Sequence, residues 1–298
     1  MKALITADLH YNIARSRLPA QRLAREICRT RADALVLLGD TAGKQPGPFI
    51  EALELFADFP GRKLLVPGNH CIWSRGGEDS LTRYHQLLGE WACQAGFVVL
   101  DHNPQIIDDV GLIGSMGWYD YSFRDEQLAI PLAFYQHKLS PGAAAWMGMD
   151  DLVDAHRDQL EDRHMEMGMR WRDGQFVNLP CSDEQFTEQL ARRLEEQLAE
   201  LAGQVDRIVV MTHHLPFAEL VPPDRPDRFA FAAAFLGSRR LGQAIRSCDK
   251  VTDVYCGHSH WPMDFTFADG LRAVNVGSTY VDKRLVVFDS TEDACPCV

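Results

Sequence analysis

The chain has 298 residues, 46% hydrophobic and 24% charged, with 30 Lys plus Arg against 42 Asp plus Glu and a formal net charge of −12. That composition excludes a disordered tract, a collagen-like repeat and a small disulfide scaffold. The acidic surplus argues against gripping long nucleic acid or an anionic membrane, but it leaves room for a phosphate-bearing substrate met by bound cations.

Short aliphatic runs alternate with amphipathic patterns, which predicts α/β architecture. Ala3-Leu4-Ile5-Thr6-Ala7 reads as a strand broken by Asp8-Leu9-His10, and Pro19 opens a helix carrying Leu23 and Ile27. Ala34-Leu35-Val36-Leu37-Leu38 is a second strand, stopping at Gly39-Asp40 before a helix near 48–58. Lys63-Leu64-Leu65-Val66 stops at Pro67-Gly68-Asn69-His70, and a helix near 79–95 leads to strands near 97–100, 105–108 and 111–115. Residues 122–203 show no strand pattern and read as a cap-like helical insertion within one domain spanning 1–298. The clearest helix there starts at Ser182, which makes a capping-box pattern with Gln185, carries the stripe Phe186, Leu190, Leu194, Leu198 and Leu201, and stops at Gly203. The α/β pattern resumes with Arg207-Ile208-Val209-Val210-Met211, ending at Thr212-His213-His214. A helix near 238–247 and a strand Val251-Thr252-Asp253-Val254-Tyr255 follow, the strand stopping at Cys256-Gly257-His258-Ser259-His260. Strands near 263–267, 271–276 and 284–288 complete the pattern.

The longest apolar run, about Phe229 to Leu236, is far short of the ~20 residues that span a bilayer. The charge of Asp8 comes too early for a secretory signal. The 8 cysteines read as reduced thiols, and the expected location is the cytoplasm. Cys295 and Cys297 form a Cys-Pro-Cys that lacks a second pair, and are read as tail.

Five hydrophobic runs each end in residues able to hold metal: Asp8 with His10, Asp40, Asn69 with His70, His213 with His214, and His258 with His260. Ligands bind beyond the carboxyl ends of strands in open α/β sheets, so these positions can converge. Alone, each pair has a structural reading as a turn or a satisfied histidine; together and in this order they point to one site. Carboxylate, amide oxygen and imidazole suit Mn, Fe, Zn, Co or Ni. So many ligands exceed the needs of one ion and predict two divalent ions sharing a carboxylate, the arrangement that clamps phosphoryl oxygens.

The series Asp8-x-His10, Gly39-Asp40, Gly68-Asn69-His70, His213 and Gly257-His258-x-His260 resembles the calcineurin-like metallophosphoesterases. The resemblance implies a double β-sandwich flanked by helices with a dinuclear site at the sheet edge. It implies Asp8, His10 and His260 on the first metal, and Asn69, His213 and His258 on the second, with Asp40 bridging. Water between the ions would attack phosphorus, and His70 would sit over the phosphate and protonate the leaving oxygen. One departure stands out: Cys71 occupies a position where the family motif usually has Asp or Glu. Of the adjacent histidines, His213 is the expected ligand, and His214 faces the substrate or supports the site.

Candidates for substrate contact are Trp118 and Tyr119, with a packing cluster as the alternative, and Trp73 and Arg75 behind His70. His156 and His164, in a Met-rich stretch, read as insertion core and surface. The expected function is hydrolysis of small phosphomonoesters or phosphodiesters, nucleotides among them. A non-catalytic scaffold on the same fold, a nuclease and a metal-storing or sensing module are the alternatives. Oligomeric state is not legible.

Overall fold

The computed structural model describes residues 1–74, 79–223 and 227–291. Arg75, Cys295 and Cys297 therefore lie outside the described residues.

Two sheets pack face to face. The first contains β1 (Lys2–Ala7), β2 (Ala34–Leu38), β3 (Arg62–Val66), β4 (Phe97–Val99) and β11 (Val286–Asp289), in the order β11-β1-β2-β3-β4. The second contains β5 (Gln105–Ile107), β6 (Val110–Ser115), β7 (Arg207–Thr212), β8 (Val251–Cys256), β9 (Met263–Thr266) and β10 (Arg272–Asn275), in the order β5-β6-β7-β8-β10-β9. The interior strands run parallel, while β11, β5 and β9 close the edges antiparallel.

Strand alternation explains the layers. In β1 and β2, Ala3, Ile5, Ala34 and Val36 face the space between the sheets, with Val209 and Met211 of β7 opposite. Leu4, Leu35 and Leu37 turn outward onto the helices covering the first sheet, and Ile208 and Val210 turn onto those covering the second. Both faces of β1, β2 and β7 are buried, so these strands read as continuous apolar runs.

Two helix ends differ from the sequence expectation. The helix Ala14–Arg29 begins before Pro19, which sits inside it. Ser16 and Ala20 are buried on its inner face, so tertiary packing carries the helix past the missing Pro19 N–H. Gly203 ends the helix Asp183–Ala202 at φ −75°, without the left-handed turn that its identity suggested; the chain instead leaves through a turn in which Gln204 N–H donates to the Leu201 carbonyl. The predicted capping box of Ser182 and Gln185 is present. Within 122–203, the Asp183–Ala202 helix packs on β6 and on the helix Arg239–Ile245. The rest of the segment is short helical turns tied by one isolated bridge, Leu139 to Arg170. No helix among the described residues is long and apolar enough to cross a membrane.

Candidate metal centre

Each ligand candidate stands just past a parallel strand. Asp8 follows β1, Asp40 follows β2, and Asn69 opens the turn Asn69–Ile72 after β3. His213 follows β7, and His258 and His260 follow β8. The loops are stitched together: His10 N–H donates to the Asp40 carbonyl at 2.7 Å, and Gly257 N–H to the His213 carbonyl at 3.1 Å. The His258 N–H donates to the Asp8 carboxylate at 3.1 Å, joining the two sheets at this edge.

The backbone is unusual there. Asp8, His10, Asp40, His258 and His260 all have φ between 45° and 69°. Residues other than glycine seldom adopt this left-handed region, and such strain gathers at functional sites. Two glycines allow the close approach. A Cβ on Gly39 would lie 2.1 Å from His213 Nδ1, and one on Gly68 would lie 2.2 Å from Asp40 Oδ1.

The side chains fall into two groups. In the first, His10 Nε2 and His260 Nε2 are 3.1 Å apart, and Asp8 Oδ1 lies 3.6 Å from His260 Nε2. In the second, His213 Nε2 lies 3.1 Å from His258 Nδ1 and 3.2 Å from Asn69 Oδ1. Asp40 touches both groups, with Oδ2 3.6 Å from His10 Nε2 and Oδ1 3.4 Å from His213 Nε2. Donor atoms that share an ion at ~2.0–2.1 Å stand about 2.9–3.4 Å apart for angles from square to tetrahedral; the His–His, His213–Asn69 and Asp40–His213 separations fall in that range and the two 3.6 Å separations lie just above it, so both groups could hold a metal ion.

Electrostatics agree with the geometry. Burial holds His10, His213 and His258 well below the usual histidine range, so they are neutral and present lone pairs. Burial, with Asp8 adjacent, pushes the Asp40 carboxyl well above the carboxylate range. Two buried carboxylates amid neutral imidazoles form a site that a cation satisfies. Lys283 adds charge nearby, donating from Nζ to the Asp8 carbonyl at 2.5 Å and the Thr279 carbonyl at 2.7 Å.

His70 stands beside the centre, its Nε2 3.8 Å from Asp40 Oδ2. Its ring stacks on Trp73, centroids 3.6 Å apart, and its Nδ1 is buried without a hydrogen-bond partner among the described residues. Cys71 does not supply that partner. Burial pushes its thiol up to about 12, and it packs against the backbone of Gly68, Thr41 and Ala42.

A cavity of about 1040 Å³ opens over the candidate metal ligands. Trp73 lines it, while Trp118, Tyr119 and His214 do not. Trp118 and Tyr119 are fully buried and stacked on each other, as a packing cluster would be. The Trp118 indole N–H donates to Asp183 at 2.7 Å. His214 is also fully buried, with Nδ1 against the Met116 carbonyl and Nε2 unpaired among the described residues. His164 is buried and caps a local turn through Glu161 N–H.

Asp173 was not visible from sequence. Its buried carboxylate accepts four hydrogen bonds: on Oδ1 from Asn69 Nδ2 at 2.9 Å and Trp73 Nε1 at 2.6 Å, and on Oδ2 from Trp171 Nε1 at 2.7 Å and the Tyr119 hydroxyl at 3.1 Å. By holding the Asn69 amide nitrogen, it turns the amide oxygen toward His213. No motif marks an acid 104 residues from its partner. Tyr280, likewise missed, lies 4.8 Å from the His10 ring and lines the cavity.

Two sheets with an Asp, Asn and His cluster across their strand ends define a metal-dependent phosphoesterase. The chain belongs to the calcineurin-like phosphoesterase family, which it matches over residues 1–262. No curated protein matches the sequence. Among solved structures, the fold is similar to phosphopantetheinyl hydrolase (PptH) from Mycobacterium tuberculosis, with TM-score 0.68 and 18% identity over 99% of this chain and 98% of that one. It is also similar to a dimetal phosphatase from Danio rerio (0.52, 14%, 96% and 91%). The protein TT1561 of Thermus thermophilus is a third (0.53, 10%, 97% and 98%).

Proposed function

We propose that the protein hydrolyses phosphomonoesters or phosphodiesters of a small molecule, nucleotides included, using two divalent ions. The observation that carries this reading is the split of Asp40, one oxygen toward each ligand group. Asp8, His10 and His260 would hold one ion and Asn69, His213 and His258 the other, with Asp40 between them. Mn, Fe, Zn, Co and Ni all suit this donor set. Bound there, the ions would supply positive charge to the phosphoryl oxygens and make water more acidic. His70 would steady the negative charge on the phosphoryl group and deliver a proton to the leaving oxygen, with Trp73 fixing its ring. The cavity is large enough for an ester with a substantial organic group.

The test is hydrolysis of chromogenic monoesters and diesters with Mn²⁺, set beside a phosphopantetheine ester because of the name of the mycobacterial relative. Turnover by the metal-loaded protein, lost in Asp40→Asn and reduced in His70→Ala, supports the reading. Full metal loading with no turnover of any ester would sink it in favour of a scaffold. Cleavage confined to DNA would favour a nuclease.

A further inference from the structure

Away from the metal ligands, the cavity wall reverses the charge of the protein. Its basic side chains are Arg17, Lys44, Arg170 and Arg172, while its acids are only Asp40 and Asp173, both buried. Asp40 belongs to the metal centre and Asp173 is taken up by four donors. Arg17 lies 3.9 Å from Glu51, and the Lys44 ammonium sits over the rings of Trp73 and Phe176. Arg170 and Arg172 are exposed, and neither pairs with an acidic side chain among the described residues. In a chain of net charge −12, two uncompensated guanidinium groups beside a cavity call for an anion.

These arginines are not on a loose loop. Trp171, between them, donates its backbone N–H to the Lys138 carbonyl at 2.9 Å, and the Met169 N–H donates to Ser140 Oγ at 2.9 Å. Asp173, directly after Arg172, is bonded to the amide of Asn69 at 2.9 Å. The same short segment therefore carries both arginines and touches a metal-ligand candidate, which anchors the backbone that bears them beside the candidate centre.

We propose that Arg170 and Arg172 form a second anion subsite, so that the substrate is a phosphate ester bearing a further phosphate or carboxylate group away from the scissile one. This rests on the phosphoesterase reading above. Guanidinium suits the task because its fork matches planar and tetrahedral oxyanions.

The test uses probes that cannot be hydrolysed: alkyl α,ω-bisphosphonates with linkers of three to six carbons, and the matching alkyl monophosphonates. Each is titrated calorimetrically into the Mn²⁺-loaded protein and into the double variant Arg170→Gln, Arg172→Gln. At least one bisphosphonate is expected to bind tenfold or more tightly than its monophosphonate. The double variant should bring that ratio to about one while keeping the thermal midpoint of the wild type. A ratio near one in the wild type, or one that survives in the variant, overturns the subsite. Turnover of chromogenic esters is scored separately: turnover without the preference removes the subsite alone, and the preference without turnover removes the catalytic reading alone.

Discussion

The imidazole of His70 lies on the indole of Trp73, with centroids 3.6 Å apart and planes within 22°. The indole is held in turn by Asp173, so a chain of contacts sets the ring beside the candidate metal centre. Trp73→Ala is expected to lower kcat by about 10- to 100-fold with a smaller change in KM, because a misplaced catalytic group costs rate before affinity. Trp73→Phe keeps a stacking face and should recover most of kcat. Steady-state kinetics of the two variants check this.

Asp40→Asn should separate the two metal positions. An amide offers one oxygen where the carboxylate offers two, so the variant is expected to retain fewer than two ions per chain and to lose at least ~10³-fold in turnover. Metal content after gel filtration, read together with ester hydrolysis, decides it.

Asp173→Asn replaces one acceptor oxygen with a donor in a pocket where every neighbour donates. Changes in groups that orient ligands typically cost ~10- to 100-fold in metal affinity. Calorimetric titration with Mn²⁺ should show that loss in the weaker of two binding steps, with the stronger step little changed. Equal weakening of both steps would mean that Asp173 supports the fold rather than Asn69.

Cys71 packs on backbone and leaves His70 alone, so Cys71→Ala is expected to keep kcat/KM within about twofold. Its effect should fall on stability, about 1–2 kcal/mol for removing a buried sulfur. Denaturant unfolding beside ester hydrolysis separates the two.

Asp101 supplies a pH test away from the metal. Burial pushes its carboxyl up to about 6, while it accepts from the Tyr84 hydroxyl at 2.7 Å and from the Met116 N–H. The folded protein then holds a proton that the unfolded chain has released near the usual carboxylate value. The stability this provides is fully present below that value and is lost as pH rises toward 6. The wild type minus Asp101→Asn difference in unfolding free energy should shrink between pH 4 and 6.5, by at most about 3 kcal/mol. A constant difference over that range would refute the assignment.

What could be read from sequence was set by periodicity and by short-range motifs. Strands buried on both faces appear as plain apolar runs, so β1, β2, β3, β7 and β8 and the residues beyond them were legible. So was the Asp183–Ala202 helix, with its stripe and its capping box. Pro19 misled because burial of one helix face outweighs a local breaker. Trp118 and Tyr119, set beside a strand end, were candidates for the cavity wall, and only tertiary packing turns them inward. Asp173 was invisible because its meaning depends on donors from two distant parts of the chain: Asn69 with Trp73, and Tyr119.

The strand β11 pairs with β1 from the far end of the sequence, Lys2 opposite Asp289, and His10 meets His260 across 250 positions. During synthesis the first candidate ligand group therefore stays incomplete until residue 260 has left the ribosome, and β1 waits with one edge unpaired until β11 follows. A truncated product ending before residue 258 would carry Asp8 and His10 without their partners, so it should neither retain metal tightly nor cleave esters in the cell.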